Sequence, residues 1–127
     1  MGVDYGRAKI GLAIGDSETR MAFGYATIKN DKHFYQSLLE IIKKEQISKV
    51  IIGVPSRINR EEVEYDGEKL GEYLRSVEGI PIEYHNEMFS TKIARQNLKE
   101  RGEKGLDRLD DREAARIILD SWLNQNK

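Results

Sequence analysis

Near the start of the chain, apolar residues alternate with small or polar ones. Segments 3–7, 10–14 and 21–28 are short, rich in Val, Ile, Tyr and Phe, and separated by Gly, Asp, Ser and Asn. That pattern predicts three consecutive strands in an antiparallel meander. Asp31 reads as a helix cap, and Phe34, Leu38, Leu39 and Ile42 follow at helical spacing as far as Glu45. The run 49–54 is strongly apolar and ends at Gly53-Val54-Pro55, as expected of a parallel strand buried on both faces. A helix over 63–77, a short strand over 82–86 and two more helices, over 90–101 and 107–124, complete the reading. The order predicts an α/β fold: a mixed five-stranded sheet, three antiparallel N-terminal strands and two parallel, with helices on both faces.

Composition narrows the classes. A chain of 127 residues with no repeat, low-complexity tract or Pro/Gly-rich linker is expected to form one domain over 1–127. The sequence has no cysteine, which excludes disulfides and thiolate metal sites and fits a reducing cytoplasm. It has no apolar run of membrane-spanning length and no signal-peptide pattern, so a cytoplasmic protein without membrane contact is the expectation. The net charge is -1 although 34% of residues are charged. Near-neutrality argues against a generic polyanion-coating protein, and any nucleic-acid contact must come from local basic patches.

The chemistry lies in the acids. Asp4 interrupts the first apolar strand, where an isolated charge costs several kcal/mol unless a cation, a metal or water compensates it. Glu87 directly follows the strand 82–86, at the carboxyl end where sites of parallel sheets gather. In the last helix, at about 100° per residue, Ala114, Ala115, Ile118, Leu119 and Trp122 form one apolar stripe, with Asp111 in its middle. Asp110 lies about 100° away, on the polar flank. The stripe favours Asp111 as the inward acid, while helix capping is the plainer role for either residue. Three carboxylates converging on one sheet edge would repel one another, and a hard divalent cation such as Mg2+ or Mn2+ relieves that repulsion. Two such ions about 3.5–4 Å apart, sharing Asp4, could activate a water and stabilise the leaving oxygen of a phosphodiester. The two histidines, His33 and His85, lack metal-ligand spacing and read as ordinary surface or strand residues. There is no cysteine nucleophile, Gly-flanked serine elbow or Walker phosphate loop.

Basic residues offer phosphate contacts. Lys92, Arg95 and Lys99 recur at helical spacing, although a solvated charged face fits the same pattern equally well. Segment 56–66 is polar, carries Arg57 and Arg60, and is expected to be a flap over the carboxylates, with Arg57 touching phosphate.

Asp4-Tyr5-Gly6, Lys9-Ile10-Gly11-Leu12-Ala13, Gly53-Val54-Pro55, Asn86 to Thr91, and Asp111 with Ala114 to Leu119 together resemble the YqgF/RuvX family. The resemblance runs along essentially the whole chain in the right order. It implies a ribonuclease H-like fold and nuclease activity on the precursor of 16S ribosomal RNA, with Holliday junction resolution as the earlier assignment. It also implies metal-binding catalytic roles for Asp4, Glu87 and Asp111; the expected nucleic-acid contacts along the chain are Lys9, Arg57, Thr91, Arg95 and Lys99. Where the family reads Asp-Glu-Arg this chain has Asn86-Glu87-Met88, and the family's Lys-Arg pair in the first hairpin is Ala8-Lys9. The expected partner is structured pre-ribosomal RNA, with branched DNA as the alternative, bound by a monomer or weak homodimer. A non-catalytic nucleic-acid-binding module is the reading from a different class.

Overall fold

The structure is a computed structural model that describes residues 1–6, 8–54, 66–86 and 111–125. Strands β1 (Gly2–Tyr5), β2 (Lys9–Asp16) and β3 (Met21–Lys29) lead into helix α1 (Phe34–Lys44). Strand β4 (Val50–Val54), helix α2 (Asp66–Glu78), strand β5 (Ile82–Asn86) and helix α3 (Asp111–Gln125) follow. The five strands lie in the order β3-β2-β1-β4-β5. The first three pair antiparallel, and β1–β4 and β4–β5 pair parallel, as the hydrophobic pattern predicts.

Alternation along each strand divides the interior into two layers. Val3, Ile10, Leu12, Val50, Ile52 and Val54 pack against Phe34, Leu38 and Ile42 of α1 and Leu70 and Leu74 of α2. The opposite face offers Ala13 and Ile51 to Ala115, Ile118, Leu119 and Leu123 of α3. Every residue of β4 is buried, so its continuous apolar run follows from having a helix layer on each side. The apolar stripe read from the last helix is the face that α3 turns to the sheet.

Some element ends differ from expectation. Asp31 does not cap α1. Its carboxylate accepts the His33 N–H at 2.9 Å and its carbonyl accepts the Phe34 N–H at 3.2 Å, making a turn just ahead of the helix. His33 is the N-cap and has no side-chain capping bond. At the other end of α1, Gln46 adopts a left-handed φ of 53°. Its N–H reaches Lys43 O at 3.3 Å, and the Ile47 N–H reaches Ile42 O at 3.0 Å, which closes the helix in a Schellman turn and aims the chain into β4. The helix expected over 90–101 lies outside the described residues. Among the described residues, no helix is long and apolar enough to cross a membrane.

Candidate metal centre

Asp4 lies near the carboxyl end of β1, the central strand of the sheet. Its orientation follows from its neighbours. A Cβ placed on Gly2 would meet the Ala115 carbonyl oxygen and the Leu119 Cβ, both at 2.7 Å, so Gly2 faces α3. Two residues on, Asp4 faces the same way. It is half-buried. Its cross-strand partner is Gly11, with the two Cα atoms about 5 Å apart as in any antiparallel pair.

Directly above Gly11 sits the first residue of α3. A Cβ on Gly11 would lie 1.9 Å from the Asp111 carbonyl oxygen and 3.0 Å from the Asp111 Cβ. No side chain fits there, and its absence lets the helix start touch the strand. Asp111, also half-buried, thus rests over the ladder position beside Asp4, on the same face of the sheet. The two acids are 107 positions apart in sequence and come within a side chain's reach of one another. Such a pair of oxygen donors suits a hard divalent cation.

Glu87 follows the last residue of β5 and lies outside the described residues, as do Asp110, Arg57, Thr91, Arg95 and Lys99. Among the described residues no cluster of three acids or histidines is assembled. Lys9 is described and is exposed at the start of β2. It sits two residues before Gly11, hence on the α3 face, beyond the helix start.

Next to this region β5 and α3 share part-buried polar contacts that tie the helix to the sheet. His85, only 7% exposed, has its Nε2 2.9 Å from the Ser121 hydroxyl. The Trp122 indole N–H donates to the Glu83 carboxylate. Lys49 approaches both, with Nζ 3.6 Å from Glu83 and 5.3 Å from the indole centroid. His85 is therefore a buried strand residue with a partner, and His33 is exposed ahead of α1.

Burial lowers the His85 pKa below the ordinary 6.5, which keeps the ring neutral in the folded protein. Above pH 6.5 the ring is neutral whether folded or unfolded, and its titration adds nothing to stability. As pH falls through that value the unfolded chain takes up a proton first, so stability declines. Urea denaturation at pH 7.5 and pH 5.5 should show that decline in the wild type and a shallower one in His85→Gln. Equal slopes would mean that His85 protonates freely in the fold.

The glycines beneath α3 are what sequence reading misses. Gly11, Ala13 and Gly15 alternate on one face of β2, and Gly53 sits under Ile118. A period-2 run of small residues in a strand is the signal for a helix approaching closely on that face.

Comparison with known proteins bears on both fold and family. The fold is similar to that of RuvC from T. thermophilus in complex with Holliday junction substrate, with a TM-score of 0.63 at 17% identity, covering 98% of this chain and 92% of that one. A second Thermus thermophilus RuvC structure gives a TM-score of 0.57 at 15% identity, covering 98% and 93%. The architecture is thus ribonuclease H-like. A protein of Caldanaerobacter subterraneus subsp. tengcongensis named "Putative pre-16S rRNA nuclease" is 36% identical over 138 residues, spanning 100% of this chain and 96% of its own length. One of the same name from Bacteroides fragilis YCH46 is 30% identical over 133 residues, spanning 98% and 95%. Residues 1–125 match the family model described as "RuvX: Holliday junction resolvase", and the chain belongs to that family.

Proposed function

We propose that this protein is a divalent-metal-dependent endonuclease that cuts structured precursor RNA at the 5′ end of 16S ribosomal RNA. The observation that carries the reading is the seat of Asp111 on Gly11, across the ladder from Asp4. A helix start pressed onto a strand at that one position fixes two carboxylates on a single face, and rigid seating is what a hydrolytic site needs. Glu87 is the third member of the proposed set. Glu83 and His85 of β5 turn toward α3, and Glu87 follows His85 by two positions in the sequence.

Asp4, Asp111 and Glu87 would hold Mg2+ or Mn2+, and their all-oxygen donors suit either ion. A divalent ion bound there lowers the pKa of a coordinated water and stabilises charge on phosphodiester oxygens. The chain's own contribution is positional. β1 supplies Asp4 from the most central strand, Gly11 sets the height of α3, and the His85–Ser121 contact keeps the helix from sliding. Lys9 would attract the nucleic-acid backbone at the rim, and so would Arg57, Thr91, Arg95 and Lys99.

The RNA substrate is favoured by the names of the full-length relatives, and such a substrate would be met in the cytoplasm, on pre-ribosomal particles. Cleavage of a four-way DNA junction is the second reading, favoured by the family description and the likeness to RuvC. One experiment separates them. Purified protein in Mg2+ is offered a 16S precursor RNA and a four-way DNA junction, each with an EDTA control. Metal-dependent cleavage of the RNA with an intact junction is the expected result. Cleavage of the junction alone would replace the RNA assignment, and cleavage of neither would sink the nuclease reading.

A further inference from the structure

Beyond the carboxylates, the α3 face of the sheet ends in two lysines. Lys9 and Lys29 are direct cross-strand partners in the β2–β3 ladder. Both are exposed. Side chains directly opposite in an antiparallel pair point to the same face, and Gly11 beneath Asp111 identifies that face as the α3 side. The pair therefore lies on the same surface as Asp4 and Asp111, one alternation step beyond the Asp4–Gly11 position and past the first residue of α3.

Like charges placed directly opposite one another destabilise an antiparallel pair. Among the described residues neither lysine is paired with a carboxylate. Their position is nevertheless held firmly. The Asn30 amide donates to Gly6 O at 2.7 Å and the Asn30 N–H donates to Ala8 O at 2.9 Å, which ties the end of β3 to the turn joining β1 and β2. A repulsive pair carried on backbone tied down in this way, and left without an acid among the described residues, suits an external anion.

We infer that Lys9 and Lys29 together form a phosphate subsite that grips the nucleic-acid backbone next to the bond being cut. The inference rests on the nuclease reading above and adds Lys29, with its pairing to Lys9, to the substrate-binding surface. Each ammonium has three donors and no acceptor, so two of them can hold non-bridging oxygens of a single phosphodiester. The contact would be blind to base sequence and would set how the strand approaches the carboxylates.

The test uses the whole protein and a labelled stem–loop from 16S precursor RNA, with binding measured across a series of salt concentrations in Ca2+. Lys29→Gln should weaken binding several-fold and reduce the salt slope by about 0.7–0.9, the loss of one phosphate contact. Lys29→Glu should weaken it further while raising the melting temperature, because a cross-strand Lys–Glu pair replaces a repulsive one. Lys44→Gln, at the end of α1 in the opposite layer, should bind as the wild type does. If both Lys29 variants keep the wild-type affinity and salt slope, the subsite is overturned and the nuclease reading stands. A wild-type protein that binds neither this RNA nor a DNA junction would overturn the reading beneath it as well. Inorganic phosphate that competes in the wild type but not in Lys29→Gln supports the subsite. Competition that is equal in the two proteins counts against it.

Discussion

Gly11→Ala should cost this protein about 3 kcal/mol of stability, lower its melting temperature on the order of 10 °C, and reduce any cleavage it performs by orders of magnitude. The added methyl would sit 1.9 Å from the Asp111 carbonyl oxygen. That atom belongs to backbone and cannot turn aside, so the start of α3 must lift and carry Asp111 away from Asp4. Two other glycines calibrate the effect. A Cβ on Gly53 meets the far end of the Ile118 side chain at 2.4 Å, which can change rotamer at smaller cost. Gly79 has open space around it but a φ of +68°, so Gly79→Ala should lose only about 1 kcal/mol, as backbone strain, with no effect on cleavage. Melting curves and cleavage rates for the three variants check this ranking. A Gly11→Ala protein as stable and active as the wild type would mean that the helix start is not seated on β2.

Asp4→Asn should abolish cleavage, by at least about a thousandfold under single-turnover conditions in Mg2+, while the fold stays intact or gains stability. The substitution keeps the size of the side chain and its place beside Gly11, and it removes one of two like charges on the same face. Asp111→Asn should behave likewise. Asp110 lies on the polar flank of the helical stripe, so Asp110→Asn should cost little. Cleavage at the wild-type rate by Asp4→Asn would dismiss this site altogether. An Asp110 variant that is inactive while the Asp111 variant remains active would show that the other acid of the pair is the working one.

Much of this arrangement was legible in the sequence, because burial leaves a period. The buried-both-sides run of β4 and the apolar stripe of α3 marked their partners directly, and Asp4 and Asp111 stood out as charges on faces that should be apolar. Turn chemistry was less legible. Asp31 looked like a cap, and it accepts the His33 N–H in a turn instead, since the same side-chain geometry serves both purposes. Register was not legible either. Nothing local in the chain says that Gly11 stands opposite Asp4, or that Lys9 stands opposite Lys29, because the first pairing depends on how β1 and β2 align and the second on how β2 and β3 align. The closeness of α3 to the sheet is written only in the small residues Gly11, Ala13 and Gly15 on one face of β2, a signal weaker than an apolar period.

The central claim is that carboxylates 107 positions apart in sequence form one divalent-metal site. Mn2+ binding, followed by the electron paramagnetic resonance signal of the free ion, tests this without substrate or turnover. The wild type should take up Mn2+ weakly but saturably, with Mg2+ competing, and both Asp4→Asn and Asp111→Asn should lower the affinity at least about tenfold, as expected for losing a carboxylate ligand. Affinity unchanged in both variants would contradict the account, whatever the protein is later found to cut.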